Sequence, residues 1–342
     1  MNIVPEGYNR SAATNCLSPR PVNLDRLSYT YSVLPALTFK EKFKQILATE
    51  VENVIGVPVL DVGKRFESWD SFAFLVTATD KKKYVGKIFR FPHWPPEGKL
   101  TEVTRILNQY HISHENSVYI THNHPIFEFG WQLTEFISGG NAKEALENKL
   151  TNKETYLKKL GAKLRQVHAI ELGFFGSLQN PEHQHMTFQG LAREELSDQN
   201  FGVLPDQYKY YENVISDTIK EVQRLLKYLN FSATLVHDDV GTRNVLWNNG
   251  ALTLIDWVDS VAGPAVRDFA TVTFREEAPV LMLLEEGYGQ EINREELRLH
   301  QLMRFIRLGH FYYSEDKDTQ EFEVMMDRAK ALLNRDTPFG AE

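Results

Sequence analysis

The most informative stretch of the chain runs from Leu235 to Trp257 and reads LVHDDVGTRNVLWNNGALTLIDW. It contains two short apolar runs, 244–247 and 252–255, separated by an Asn-Asn-Gly turn. Asn-Gly between two such runs is a strong signal for a β-hairpin, because both residues tolerate the positive φ angles that a tight turn requires. The stretch therefore predicts a loop followed by a short hairpin.

Three oxygen-bearing side chains would converge on this hairpin. Asn244 stands where the first strand begins, Asp256 where the second ends, and Asp239 on the loop before them. Mg²⁺ prefers a few oxygen ligands together with phosphate oxygens, and a kinase-type base accepts the proton of an attacking hydroxyl. The arrangement suits phosphoryl transfer, although spacing alone fits a surface hairpin with ordinary Asx turns equally well.

The sequence of this stretch resembles that of the aminoglycoside phosphotransferase family, whose members are relatives of the protein kinases. In that family the catalytic loop reads His-Gly-Asp, four residues, Asn, and the hairpin ends in Ile-Asp-Trp. Here the loop runs from His237 to Asn244, and the hairpin ends Ile255-Asp256-Trp257. The wording is most similar to hygromycin-type phosphotransferases. One departure is Asp238, which stands where the family usually has a small residue.

The resemblance implies an α+β, bilobal, protein-kinase-like fold with a small β-rich N-lobe and a larger helical C-lobe. It implies that Asp239 is the catalytic base and that Asn244, also catalytic, holds Mg²⁺ together with Asp256. The segment 263–270, GPAVRDFA, resembles the family's Gly-Asp-Pro…Asp-Leu-Ala run. Asp268 would therefore brace the catalytic loop, with His237 as a second structural residue.

The strand 83–91, KYVGKIFRF, carries a lysine inside an apolar run. A lysine there needs an anionic partner, although an edge-strand lysine that points to solvent is also common. By resemblance Lys87 pairs with the α- and β-phosphates of the nucleotide. We expect its helix partner to be Glu102, with Glu97 as the alternative. Ser68, on the loop between the first two strands, could contact phosphate.

The nucleotide would be ATP or GTP, bound at a hinge between the lobes. The strand near 126–137 ends in an apolar-acidic-apolar run, and backbone groups of Glu135 and Ile137 would bind the adenine edge. We expect an N-terminal extension at 1–37, an N-lobe at 38–137 and a C-lobe at 138–342.

Acidic residues beyond the hairpin are candidates for the acceptor site. Asp259 lies three residues past the predicted metal ligand and faces the acceptor side, and Glu276 belongs to an acidic set in the following helices. Such residues usually form only a solvated face, but an acidic pocket would hold a cationic substrate.

Composition limits the alternatives. The 342 residues are 42% hydrophobic and 25% charged, with a net charge of -8, which argues against a broad nucleic-acid interface. Cys16 is the single cysteine, so no intrachain disulfide is possible and a reducing compartment is expected. No apolar run approaches the ~18 residues of a membrane span. We expect a cytoplasmic monomer or homodimer without membrane or nucleic-acid partners.

The sequence therefore predicts an ATP-dependent phosphotransferase acting on a hydroxyl of a small, cationic molecule, such as an aminoglycoside or aminocyclitol antibiotic. One alternative is a biosynthetic or metabolic kinase whose acceptor is an amino alcohol, a sugar or a natural-product precursor. The other is a non-catalytic nucleotide-binding relative, against which the presence of all the working residues argues.

Overall fold

The computed structural model of the protein describes residues 39–66, 68, 70–276, 279–335 and 337–341. The predicted N-terminal extension at 1–37, which includes Cys16, lies outside these ranges.

The N-terminal part is built on a five-stranded antiparallel sheet in the spatial order β1-β2-β3-β5-β4. The strands are β1 (Val59–Phe66), β2 (Ser71–Ala78), β3 (Lys83–Phe89), β4 (Ser117–Thr121) and β5 (Trp131–Glu135). Helix α1 (Phe39–Ile55) packs on this sheet, and its Leu47 is fully buried. Gly86 in β3 makes room for it, since a Cβ there would lie 3.1 Å from the Leu47 side chain.

Strand β5 is shorter than the sequence predicts. The expected strand near 126–137 begins only at Trp131, because the chain first makes a tight turn in which the Gly130 amide donates to the Phe127 carbonyl at 2.7 Å. Gly130 has φ 89°, and a Cβ there would lie 1.9 Å from the Thr121 carbonyl oxygen. The glycine is therefore required by close backbone approach as well as by its left-handed conformation.

Helix α2 (Lys99–Gln109) packs on the C-terminal core. Its buried apolar positions keep helical spacing, at Leu100, Val103, Ile106 and Leu107. They form one cluster with buried residues of the C-terminal helices, such as Leu160. The face that carries Glu102 is turned away from this cluster.

The rest of the chain is mainly helical. Its helices are α3 (Ala142–Glu147), α4 (Lys153–His168), α5 (Phe188–Ser197), α6 (Tyr210–Leu225), α7 (Val266–Thr273), α8 (Leu281–Tyr288), α9 (Arg294–Phe311) and α10 (Thr319–Leu333). Short strands complete it: β6 (Gly140–Asn141), β7 (Phe175–Gly176), β8 (Gln184–His185), β9 (Thr234–Val236), β10 (Val245–Asn248), β11 (Ala251–Leu254) and β12 (Val261–Gly263). They form two small sheets, in the orders β11-β10-β6 and β8-β7-β12-β9.

Helices α4 and α8 approach each other closely through two glycines. A Cβ on Gly161 would lie 2.1 Å from the Leu284 carbonyl oxygen, and a Cβ on Gly287 would lie 1.8 Å from that of Lys158. This packing holds α4 in place, and the last turn of α4 carries His168, whose ring contacts Asp268.

No helix within the described ranges combines the length and the apolar composition that crossing a bilayer would require.

Replacing Gly161 with Ala is expected to lower the free energy of unfolding by about 1–3 kcal/mol, because the added methyl group has no space between the two helices. Chemical denaturation measures the change. Gly173→Ala is the matched control, since a Cβ there meets no atom within 4 Å. Equal stability of the two variants would contradict the close contact.

Candidate active site

The predicted hairpin is confirmed as the pair β10 and β11, in register from Val245 opposite Leu254 to Asn248 opposite Ala251. Its turn residues Asn249 and Gly250 have φ 49° and 84°, as a type I′ turn requires. The Ile255 amide donates to the Asn244 carbonyl at 2.9 Å, so the hairpin holds Asn244 and Asp256 side by side.

A buried carboxylate from α7 supports the loop that leads into the hairpin. Asp268 accepts hydrogen bonds from the backbone amides of His237 at 3.1 Å and Asp238 at 2.8 Å. The His168 ring nitrogen Nε2 lies 3.0 Å from the same carboxylate. The predicted contact between Asp268 and the loop backbone is therefore present, and Asp268 is fully buried.

His237 links the loop to the second hairpin strand. Its Nε2 lies 2.9 Å from the Ile255 carbonyl oxygen, and its Nδ1 lies 3.3 Å from the Asp239 amide nitrogen. A proton on Nε2 satisfies both contacts, with Nδ1 as the acceptor. The fully buried ring therefore fixes the loop from inside, as expected for a structural residue.

The structure accounts for Asp238, the residue at which the catalytic loop departs from the family sequence. Its φ of 64° is left-handed, a conformation that glycine adopts without cost and aspartate tolerates. The buried carboxylate contacts Arg267 at 2.8 Å and also pairs with Arg307. Burial acts to raise the pKa of Asp238, but the two guanidinium groups outweigh it and hold that pKa well below its usual range.

The side chains of Asp239 and Asn244 are directly hydrogen-bonded to each other. The Asn244 Nδ2 donates to the Asp239 carboxylate at 2.7 Å and to its backbone carbonyl at 3.0 Å. The Asp239 side chain is 46% exposed, and its Oδ1 lies 3.6 Å from the Arg304 guanidinium. The carboxylate is thus held in one orientation while remaining open to a substrate.

Lys87 contacts two carboxylates, Glu115 and Asp256, each at 3.4 Å. Glu115 also accepts a hydrogen bond from the Asp256 amide at 3.0 Å. Burial acts to lower the pKa of Lys87, but these carboxylates outweigh it and raise that pKa above its ordinary value. Burial, together with Asp70 and Glu115, raises the pKa of Asp256 above its usual range although Lys87 opposes the shift.

The predicted pairing of Lys87 with Glu102 is wrong. Glu102 lies on the exposed face of α2 and binds Arg105, with its carboxylate 2.6 Å from Nη2. The apolar face of α2 joins the C-terminal core, which turns Glu102 away from the strand lysine. The alternative, Glu97, is not the partner either; Glu115, on the segment between α2 and β4, takes that place.

The phosphate-loop and hinge candidates have partners of their own. The Ser68 hydroxyl donates to Asp70 at 2.6 Å, and Asp70 acts electrostatically on both Lys87 and Asp256, so Ser68 lies near the site. The Glu135 amide donates to the Asn116 carbonyl at 2.9 Å. Only its carbonyl could then serve a base edge, and the contribution of Ile137 stays a prediction.

Asp259 is close enough to Asp239 for their charges to interact, and its role on the acceptor side stays a prediction. Burial and the Asp239 charge raise the pKa of Asp259 to about 6. A buried lysine from α2, Lys99, is close enough to interact with it. Burial lowers the pKa of Lys99 to about 8 despite the opposing effect of Asp259.

Glu276 forms an ion pair. Its carboxylate binds Lys153, in the first turn of α4, at 2.7 Å. Two further glutamates, Glu285 and Glu286, are likewise paired, with Arg294 and Lys158. These three carboxylates therefore form ion pairs, and the role of Glu276 in an acceptor pocket stays a prediction.

Sequence reasoning missed three residues of the site. Glu115 has no spacing rule that relates it to Lys87, because its segment is irregular. Arg304 and Arg307 are three residues apart in α9, within a run of apolar residues. That pattern places them on neighbouring positions of one helix, but only tertiary structure brings them to Asp239 and Asp238.

Asn244 and Asp256 are a suitable oxygen pair for Mg²⁺. The Asn244 Nδ2 is occupied by Asp239, which leaves its Oδ1 as the atom that can face a cation. The raised pKa of Asp256 reflects burial among further carboxylates, a grouping that a divalent ion would neutralise. Asn244 and Asp256 are therefore chemically suited to binding Mg²⁺.

Comparison with solved structures shows the same overall architecture. Apo aminoglycoside phosphotransferase APH(4)-Ia, as a thermostable mutant, superposes with a TM-score of 0.65 at 16% identity, covering 84% of this chain and 98% of that one. Macrolide 2′-phosphotransferase MphH from Brachybacterium faecium gives 0.55 at 13% identity, and a fructosamine-3-kinase described as putative, from Thermobifida fusca YX-ER1, gives 0.57 at 15%; both cover 84% of this chain and 98% of their own. Comparison with curated protein sequences gives no match.

The fold and the site thus define a kinase-like phosphotransferase, and the predicted α+β fold class is confirmed. A sequence profile of the phosphotransferase enzyme family, APH, matches residues 62–300. The chain belongs to that family, and it is an enzyme of the small-molecule kinase type. Solved structures of APH(4)-Ia include ternary complexes with ADP or AMP-PNP and hygromycin B.

Replacing Asp259 with Asn is expected to stabilise the protein in a pH-dependent way. Because the folded pKa of about 6 exceeds the unfolded value of about 3.9, the ionised carboxylate opposes folding above pH 6. This penalty fades as the pH falls toward 4. The variant should gain about 1–2 kcal/mol of unfolding free energy at pH 7.5, and the gain should shrink at pH 4.5.

Urea denaturation at the two pH values measures this difference. Asp217→Asn is the control, because Asp217 is an exposed helical residue paired with Lys220. A variant less stable than the native protein at pH 7.5 would mean that the attraction of Asp259 to its cationic neighbours outweighs the cost of burying it.

Proposed function

We propose that the protein transfers the γ-phosphate of ATP to a hydroxyl group of a small molecule. The observation that carries this proposal is the pair Asp239–Asn244, which holds an exposed carboxylate in a fixed orientation. Lys87 is paired with Glu115 and Asp256. A base and a phosphate-neutralising cation are the parts that phosphoryl transfer requires.

In this proposal each residue acts at a stated atom. The Asp239 carboxylate orients the acceptor hydroxyl and takes up its proton, while Asn244 keeps that carboxylate in place. Lys87 neutralises charge on the nucleotide phosphates, and Glu115 fixes the position of Lys87. Asp268 and His237 hold the loop backbone rigid, which matters because positioning and charge neutralisation supply most of the rate in such reactions.

Asn244 and Asp256 would hold Mg²⁺. When bound, the ion supplies charge neutralisation for the nucleotide phosphates. Ser68 and the Glu135 carbonyl would complete the nucleotide site through its phosphates and its base. GTP would make the same phosphate contacts, so these residues do not discriminate between the two nucleotides.

The class of acceptor is decided by residues near Asp239. The wording of the catalytic loop favours a cationic aminoglycoside or aminocyclitol, and Asp259 is the carboxylate that could hold an ammonium group beside the base. Glu276 gives no such support, since it is paired with Lys153 in the first turn of α4. A metabolic or biosynthetic acceptor therefore stands as the second candidate, and transfer assays across both classes separate them.

Replacing Asp239 with Asn is expected to lower kcat by about 10²–10⁴-fold while the Kd for Mg·ATP stays within a few-fold, because the variant loses the proton acceptor and keeps the nucleotide contacts. Transfer from γ-labelled ATP and calorimetric nucleotide binding report the two quantities. Asp217→Asn, on the exposed face of α6, serves as the control. Near-normal turnover in the Asp239 variant would exclude it as the base.

Replacing Glu115 with Gln is expected to raise the KM for ATP by about tenfold or more, since Lys87 loses a charged partner. The same substitution at Glu102 is the matched control and should change KM less than twofold, because that side chain binds Arg105 and is not paired with Lys87 in the part of the chain that the structure describes. Steady-state kinetics with varied ATP measure both. The opposite ranking would restore Glu102 as the partner.

A further inference from the structure

A small cavity lies behind the catalytic loop, on the side of α9. It has a volume of about 110 Å³ and is enclosed by the end of α5, by α7, by α9 and by Asp238. A water molecule occupies about 30 Å³ in the liquid, so the cavity has room for three or four waters. A carboxylate or phosphate group would fit in the same space.

Three buried side-chain atoms on residues lining this cavity have no hydrogen-bond partner among the described residues: two nitrogens, Nε of Arg304 and Nε2 of His300, and one acceptor oxygen, Oε1 of Gln199. The Arg304 side chain is only 10% exposed, and His300 is 3% exposed. Buried polar groups in proteins are nearly always bonded, and leaving one unbonded is costly. Both nitrogens therefore point to a partner that the polypeptide does not supply.

Three arginines and three carboxylates line the cavity, so its wall carries no excess of formal positive charge, and the arginines differ in how closely they are paired. Arg267 and Arg307 share the Asp238 carboxylate, and Arg267 also binds Glu195 at 2.7 Å. Arg304 donates to the Asp238 backbone carbonyl at 3.1 Å and approaches a carboxylate, that of Asp239, only to 3.6 Å. Burial and the neighbouring Arg307 lower the pKa of Arg304 to about 10. Its charge is therefore stabilised less than that of an ordinary arginine.

Two further carboxylates line the cavity, and neither forms an ion pair with Arg304 among the described residues. Glu195 is engaged by Arg267. Asp198 lies at the end of α5 on the exposed side, and burial together with Glu194 raises its pKa. His300 is held neutral, since burial and then Arg267 lower its pKa well below the ordinary value. With its proton on Nε2, it would donate to an anion.

We propose that this cavity is an anion subsite for the acceptor: Arg304 and His300 bind a carboxylate or phosphate group of the molecule whose hydroxyl lies against Asp239. Arg304 touches both places, because its guanidinium lies 3.6 Å from the Asp239 carboxylate. This inference rests on the proposed function, because it specifies the chemical class of the acceptor that the proposed phosphotransferase uses. That class is a hydroxyl-bearing small molecule with an acidic group, which belongs to the second candidate, a metabolic or biosynthetic acceptor.

The subsite is tested first without any transfer reaction, by calorimetric titration of the full-length protein with inorganic phosphate. Arg304→Gln is expected to weaken phosphate binding on the order of ten- to a hundredfold, as the loss of a charge-assisted hydrogen bond implies. Arg304→Lys keeps the charge and should lose less. Asp198→Asn removes a nearby negative charge and should strengthen binding a few-fold.

Two further variants locate the bound phosphate. Arg275→Gln is the matched control, because Arg275 is 41% exposed and paired with Glu321, and its phosphate affinity should not change. Lys87→Met reports on the nucleotide site and should also leave this affinity unchanged. Loss of phosphate binding in Lys87→Met with retention in Arg304→Gln would overturn the proposal. Unchanged thermal unfolding and Mg·ADP binding show that Arg304→Gln is folded; if it is not, Arg304→Lys decides.

Transfer assays then identify the acidic group. Hydroxy acids are compared with their amides, and hydroxyl-bearing phosphate esters with the corresponding alcohols. We expect the anionic member of at least one pair to have the higher kcat/KM, and Arg304→Gln to remove that preference. Preference for neutral or cationic acceptors, unaffected by Arg304→Gln, would overturn the proposal. If no acceptor is phosphorylated but phosphate binding depends on Arg304, the subsite stands and the proposed transferase activity fails.

Discussion

The buried Asp268 carboxylate is the interaction on which the site depends. It binds two successive backbone amides of the catalytic loop and the ring of His168. A buried amide left without an acceptor costs about 1–3 kcal/mol, so the loop has one strongly favoured conformation. Helices α4 and α7 carry the two side chains that make this network, and the close packing of α4 on α8 holds it rigidly.

Two aspartates of the site have left-handed backbone, Asp238 in the loop and Asp256 after the hairpin, both with φ 64°. Their carboxylates take opposite surroundings. Asp238 is neutralised by arginines and serves structure, while Asp256 lies among other carboxylates and meets Lys87. Two aspartates with the same backbone conformation therefore serve different purposes. Asp238 belongs to a buried ion-pair network, and Asp256 belongs to a group of carboxylates whose negative charge suits a cation.

The sequence predicted local features well because their causes are local. The hairpin follows from an Asn-Gly turn between two apolar runs, and the fold class follows from the catalytic-loop wording. Glu102 is not the partner of Lys87 because the apolar face of α2 packs on the C-terminal core. The helical spacing of the apolar residues in α2 is visible in the sequence, but that spacing does not determine which of the two cores the helix packs on. The packing on the C-terminal core sets the direction in which Glu102 points.

The sequence by itself determined the fold family, the hairpin and the residues Asp239, Asn244 and Asp256 that lie on it. Short-range turn chemistry and residue order are sufficient for those features. Only the tertiary structure decided that Glu115 meets Lys87 and that Arg304 reaches the Asp239 carboxylate. These contacts join segments far apart in the chain, and their partners are set by how helices pack, which leaves no fixed spacing in the sequence.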